Sequence, residues 1–202
     1  MRVYLFTYNR PEMLKQTVEH LKLYDIEPIV LHDGVTFPFR GKQGFWQTWD
    51  EVLKDCEQNP SDMYLFMPED FEGIDIERIK QIHKDFKRNP YVYNIINDGR
   101  HECWLRFKQQ KPKNGHEEVG YCDGGFFCNR EALAKTKWHI KQPPPSRWKD
   151  PNMSSGVGMQ LTHAFKNGSV KMYKPVKSLA YHGDHESQMH PNERNKNPLI
   201  SK

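Results

Sequence analysis

Met63-Tyr64-Leu65-Phe66-Met67-Pro68-Glu69-Asp70 is an apolar run closed by a proline and two carboxylates. A short continuous apolar run that ends at a breaker suits a strand buried on both faces, the kind found inside α/β sheets. Carboxylates directly after such a strand stand at the carboxyl edge of the sheet, where α/β folds bind their ligands. The flanking sequence repeats the pattern. Upstream, Val3-Tyr4-Leu5-Phe6-Thr7 is β-prone, and Asn9-Arg10-Pro11 places a proline where a first helical turn accepts it. Leu14, Val18 and Leu21 then recur at helical spacing. Pro28-Ile29-Val30-Leu31-His32 reads as a second strand ended by Asp33-Gly34, and residues 45–56 as a helix with Trp46, Trp49, Val52 and Leu53 on one face. Downstream, residues 74–86 read as a helix carrying Ile76, Ile79 and Ile82, and Tyr91-Val92-Tyr93-Asn94-Ile95-Ile96 as a strand ended by Asn97-Asp98-Gly99. This alternation predicts an α/β domain spanning 1–202, with a mainly parallel central sheet flanked by helices.

The second half is less regular. Trp104-Leu105-Arg106-Phe107 and Gly120-Tyr121-Cys122 read as strands, and Gly124-Gly125-Phe126-Phe127-Cys128 leads into a short helix over 130–134. Residues 136–153, with Pro143-Pro144-Pro145 and Trp148, read as a long loop, a type of segment that is often functional. A helix over 157–165 and short strands over 170–173 and 178–181 follow, and the polar tail 191–202 is expected to be flexible.

The chain has 202 residues, 36% hydrophobic and 12% aromatic, and a mean hydropathy of −0.90. That supports one core and excludes a disordered chain. No run of eighteen apolar residues is present, and the N-terminus lacks the pattern of a signal peptide, so a soluble cytoplasmic protein with no membrane partner is expected. Cys56, Cys103, Cys122 and Cys128 form no Cys-x-x-Cys pair, which excludes a zinc ribbon and argues against a disulfide framework. The net charge of +4 is unevenly spread: residues 1–100 hold 13 basic and 17 acidic residues, residues 101–202 hold 17 and 9, and residues 106–149 hold 10 and 4. The basic half suits either a solvated surface or a polyanion.

Four constellations carry candidate chemistry. Glu69-Asp70 offers hard oxygen ligands of the kind that Mg²⁺ or Mn²⁺ takes, or a helix cap at Asp70. Residues 181–190 gather His182, Asp184, His185, Glu186 and His190, a set able to bind metal or move protons. Asp123-Gly124-Gly125 places a carboxylate beside glycines that let a ligand approach the backbone, or makes a tight turn. Ser154-Ser155-Gly156-Val157-Gly158 suits a helix start that admits an anion, or a plain cap.

In this order, the features resemble the nucleotide-sugar glycosyltransferases of the GT-A fold, Rossmann-like enzymes, and in particular their family-2 type, over roughly residues 3–190. Phe6-Thr7-Tyr8-Asn9-Arg10-Pro11-Glu12 resembles the opening strand and nucleotide-contacting loop. His32-Asp33-Gly34 resembles the second strand end, and Pro68-Glu69-Asp70 stands where the family carries Asp-x-Asp. Asp123-Gly124-Gly125-Phe126, followed by Arg130-Glu131-Ala132-Leu133, resembles the acceptor-side segment, and His182 matches a late metal-binding histidine. The resemblance implies transfer of a sugar from a nucleoside diphosphate sugar, foremost a UDP-sugar, to an acceptor hydroxyl with inversion, residues 1–100 serving the donor and 101–190 the acceptor. It implies Mn²⁺ or Mg²⁺ on Asp70, His182 and His185, donor contacts from Thr7, Tyr8, Asn9, Arg10, Asp33, Lys42, Trp46 and Glu69, and acceptor contacts from Tyr121, Gly124, Gly125 and Trp148. Asp123 is then the first choice of base and Asp184 the second. Two departures stand out: Glu-Asp replaces Asp-x-Asp, and Ser154-Ser155-Gly156 replaces the acidic pair before the late helix. The small form and basic second half also resemble bacteriophage enzymes that glycosylate hydroxymethylated pyrimidines, which implies DNA as acceptor. Two other readings stay open: a metal-dependent nuclease built on the His182 to His190 cluster, and a non-catalytic carbohydrate or nucleic-acid binding module.

Overall fold

A computed structural model describes residues 1–8, 10–32, 34–36, 40–97, 112–122, 124–149 and 155–182, with Arg147, Trp148 and His182 described by backbone alone. The elements run β1 (Arg2–Thr7), α1 (Pro11–Lys22), β2 (Ile29–His32), α2 (Gly41–Gln58), β3 (Met63–Pro68), β4 (Phe71–Glu72), α3 (Ile76–Phe86), β5 (Tyr91–Asn94), β6 (His116–Val119), β7 (Phe126–Asn129), α4 (Arg130–Lys135), a 3-10 turn (Pro145–Lys149), α5 (Val157–Asn167), β8 (Lys171–Pro175) and β9 (Tyr181–His182). Seven strands form one sheet in the order β2-β1-β3-β7-β5-β8-β6, and β4 pairs with β9 beside it.

The apolar runs become strands buried on both faces. On β1, Tyr4 and Phe6 join a core with Trp49, Leu53, Phe66, Phe126, Leu161 and Phe165, while Val3 and Leu5 join the opposite core with Leu65, Ile79, Ile82, Tyr93 and Phe127. Helices α2, α4 and α5 cover the first face, and α1 and α3 the second. Each fully buried side chain of this kind stabilises the fold by roughly 1.5–3 kcal/mol. Local signals set the helix starts: Pro11 opens α1, the Asp75 carboxylate accepts the Arg78 N–H to cap α3, and Asn129 accepts the Ala132 N–H to cap α4.

The sheet is mixed, not mainly parallel. β1 pairs in parallel with β2 and β3, and β5 with β8, but β7 runs antiparallel to both β3 and β5, and β6 antiparallel to β8. Parallel neighbours need a crossover of a dozen or more residues, usually a helix. β7 is entered from residues 120–125, where the described residues form no helix, and its helix α4 comes after. This reversal matters for the site, because it brings the start of β7 to the edge where β1 and β3 end.

Other boundaries move too. Gly120-Tyr121-Cys122 is not a strand; the strand lies at His116–Val119, a polar edge sequence without the apolar signature. α2 starts at Gly41 rather than at residue 45, its first turn closed by the Gly44 N–H on the Arg40 carbonyl. The last strand among the described residues is Tyr181–His182, later than the expected 178–181. The expected strand at Trp104 to Phe107 and the tail 191–202 lie outside the described residues. No described helix is long and apolar enough to cross a membrane.

Gly125 is set by close approach: a Cβ there would stand 2.3 Å from Cε2 of the buried Phe71 ring and 3.2 Å from Ile95 Cδ1. Gly125→Ala is expected to cost about 1–3 kcal/mol through overpacking, read as a lower urea midpoint at unchanged slope.

Candidate functional site

A cavity of about 230 Å³ opens at the carboxyl edge of β1 and β3. Its apolar wall is built by Phe6, Leu31, Phe45, Trp49, Phe126 and Leu161. The rings brace one another: Phe6 stacks on Trp49 at 4.7 Å between centroids, and Phe45 meets Phe6 edge-on at 5.5 Å. Thr7, Tyr8, Arg10, Glu69 and Asp70 supply polar groups to the lining, which also includes Ser155, Val157 and Gly158.

The backbone of Glu69 is held from two sides. Its N–H donates to the Phe6 carbonyl at 3.0 Å, prolonging the β1–β3 pairing, and its carbonyl accepts the Thr17 hydroxyl of α1 at 2.8 Å. The carboxylates that follow are buried, and each has a partner. Arg10 Nη1 donates to Asp70 Oδ2 at 2.7 Å, with the two side chains 10% and 9% exposed. The Tyr8 backbone N–H donates to Glu69 Oε1 at 3.3 Å. Burial, and then the charge of Asp70, push the Glu69 carboxyl up to about 7. Asp70 therefore pairs with Arg10 instead of capping a helix. The Thr7 hydroxyl is buried and has no hydrogen-bond partner among the described residues.

The α5 N-terminus borders the same cavity. Its cap, Gly156, is left-handed at φ 83°, supplies no side-chain bond, and no acidic residue stands in the first turn. The Val157 N–H meets Ser155 Oγ at 3.4 Å. A helix start of this kind carries partial positive charge and backbone donors.

The structure brings together Thr7, Tyr8, Arg10, Glu69, Asp70 and Gly124 of the residues expected from sequence. Gly124 is left-handed at φ 73°, with open space where a Cβ would stand. Others stand elsewhere. Lys42 and Trp46 lie on α2 outside the lining, where Phe45, Thr48 and Trp49 take the cavity-facing positions. Tyr121 is buried, its carbonyl accepting from Asn94 Nδ2 at 3.1 Å, and Gly125 packs on Phe71. His182 is placed by backbone alone: β4–β9 pairing sets it opposite Phe71, the residue after Asp70. Asn9, Asp33, Asp123, Asp184, His185 and the Trp148 side chain lie outside the described residues. The sequence reading missed Thr48, Trp49 and Leu161 as lining residues; their apolar helical periodicity marked a core face without showing where that face ends in a cavity.

Among the described residues no three His, Cys, Asp or Glu side chains converge as a metal set. The Glu69–Asp70 pair nevertheless suits a divalent cation in its chemistry: two buried hard carboxylates stand beside one guanidinium, and burial, with the Asp70 charge second, raises Glu69.

No protein-family model matches the chain, and no curated protein matches it. Among solved structures it is similar to A197 from STIV, at 20% identity and a TM-score of 0.48, over 90% of this chain and 85% of that one. It is also similar to a UDP-glucose pyrophosphorylase complexed with UDP-glucose, at 8% identity and a TM-score of 0.47, over 90% and 75% of the two chains. A third is a glycosyltransferase involved in glycosylation of the major capsid of PBCV-1, at 11% identity and a TM-score of 0.41, over 78% and 73%. Likeness at this level concerns the course of the chain and not its chemistry.

Glu69 gives the site a pH signature. Its proton is held more tightly in the folded chain than in the unfolded one, so stability falls as pH rises from about 4.5 to about 7 and stays reduced above. Glu69→Gln removes that loss. In metal-free protein the variant is expected to gain on the order of 3 kcal/mol over the parent at pH 8 and nothing at pH 4, read by urea unfolding at the two pH values.

Proposed function

We propose that this chain is a glycosyltransferase that moves a sugar from a nucleoside diphosphate sugar to an acceptor hydroxyl. The observation that carries the reading is the cavity's mixed lining: aromatic rings share it with a buried Arg10–Asp70 pair beside Glu69 and with the start of α5, which has no acidic residue in its first turn. A nucleotide sugar has the matching parts: a flat base on its nucleoside, and a diphosphate that links the nucleoside to the sugar to be transferred. Phe6, Phe45 and Trp49 exclude water and seat the apolar faces of the donor. Arg10, oriented by Asp70, and the first N–H groups of α5 stabilise charge as the diphosphate leaves.

Asp70 and Glu69, with His182, would hold Mn²⁺ or Mg²⁺, which when bound supplies Lewis-acid stabilisation of the leaving diphosphate. Asp123 serves as base, taking the proton of the acceptor hydroxyl as its oxygen attacks the anomeric carbon with inversion. Its chain neighbour Gly124 lines the cavity, which supports that role.

The test is a panel of nucleotide sugars scored by thermal shift, with and without Mn²⁺, followed by transfer assays. A UDP-sugar is expected to raise the melting temperature. Arg10→Ala and Asp70→Asn are expected to lower transfer by about 10²–10³-fold. A flat panel, or DNA cleavage with Mg²⁺ and no sugar donor, overturns the assignment.

A further inference from the structure

Residues 135–149 form a strap that follows α4 and packs on α2. The stretch holds Lys135, Lys137, Lys141, Arg147 and Lys149 with no acidic residue, bounded by Glu131 on α4 and by Asp150. Its inward side is pinned. Ile140 is 1% exposed, and Trp138 packs on the core with the Arg130 guanidinium 5.0 Å above its ring. The His139 ring meets Asp50 of α2 at 2.5 Å, and the Ile140 N–H donates to the same carboxylate at 3.3 Å. Lys137 and Trp138 are both left-handed, at φ 60° and 56°, a costly conformation for residues other than glycine, held here by these anchors.

The outward side alternates with the inward one. Lys135, Lys137, His139, Lys141 and Lys149 are all exposed, while Thr136 and Ile140 between them are buried. The end of α5 lies beside the strap, because Gly168 packs directly on Lys135, where a Cβ would stand 2.5 Å from the lysine Cβ. Asp50, the carboxylate that holds the strap, is itself buried and paired with Lys54 at 2.8 Å, so it does not offset this charge at the surface.

We infer that this strap is a docking surface for a nucleic-acid backbone. A fixed row of cations without acids fits a partner whose negative charge is continuous, and counterion release then drives binding. A lipid surface fits less well. The exposed residues described between Lys141 and Lys149 are Gln142, Pro144, Pro145 and Ser146, none of them a large apolar side chain. The inference rests on the transferase reading only in making the nucleic acid an acceptor; the surface itself stands on its own geometry.

The experiment uses the full chain and a fluorescein-labelled double-stranded oligodeoxynucleotide, titrated at several salt concentrations. Lys141→Glu with Lys149→Glu is compared with Lys15→Glu with Lys84→Glu, two exposed lysines on α1 and α3 at the other face of the sheet. The strap variant is expected to bind roughly tenfold or more weakly, with a salt slope shallower by about two, one for each lost phosphate contact. Lys141→Gln with Lys149→Gln repeats the measurement with less electrostatic strain, and equal melting temperatures confirm that the variants fold. The inference is overturned if the parent shows no salt-dependent binding, if both charge reversals weaken it equally, or if polyglutamate displaces the oligonucleotide at matched charge. Donor thermal shift, run on the same variants, reads the cavity separately: a flat donor panel with intact strap-dependent binding sinks the transferase reading and leaves this surface standing.

Discussion

Two carboxylates at the end of a strand buried on both faces set the constraint from which the site follows. Glu69 and Asp70 sit at 7% exposure each, and desolvating a charge there is costly without a partner. The fold answers from α1 and the loop before it. Arg10 neutralises Asp70, the Tyr8 N–H contacts Glu69, and Thr17 ties down the Glu69 backbone. The placement of α1 against β1 and β3 is therefore bound up with this compensation. Glu69 carries what is left of the cost, with a carboxyl that holds its proton toward neutral pH.

A second feature, the reversed β7, turns that edge into a cavity. In an all-parallel sheet the segment before β7 would lie at the far edge, away from the ends of β1 and β3. Running antiparallel, β7 begins opposite the end of β3, with Phe126 paired to Phe66, and Gly124 reaches the cavity. α2 and α5 close the remaining side from the same face. Residues from distant parts of the chain thus share one wall, and Phe126 serves as both core and lining.

Much of this was legible beforehand, for reasons that differ by residue. Continuous apolar runs announced β1, β3 and β5 because strands covered on both faces have no polar side to show. Thr7, Arg10, Glu69 and Asp70 were legible because strand ends in such folds share an edge. β6 was hidden by its His116-Glu117-Glu118 sequence, since an edge strand tolerates polar residues on its open side. Lys42 and Trp46 stand seven and three residues before Trp49, on the same side of α2 yet outside the lining, because periodicity shows that a stripe shares one side but not which part of it fronts a void.

The strap over 135–149 makes the same division plain. Its cations and its lack of acids are properties of the sequence alone, as are the apolar strands, the helix-opening Pro11 and the paired carboxylates after β3. Local chemistry suffices for these, because charge, period and backbone preference act within a few residues. The pairing of Arg10 with Asp70, the direction of β7 and the pinning of His139 on Asp50 join groups about sixty residues apart or more, or follow from which strand lies beside which. Only the packed chain decides them, because they depend on which buried groups are left to find one another once the core has closed.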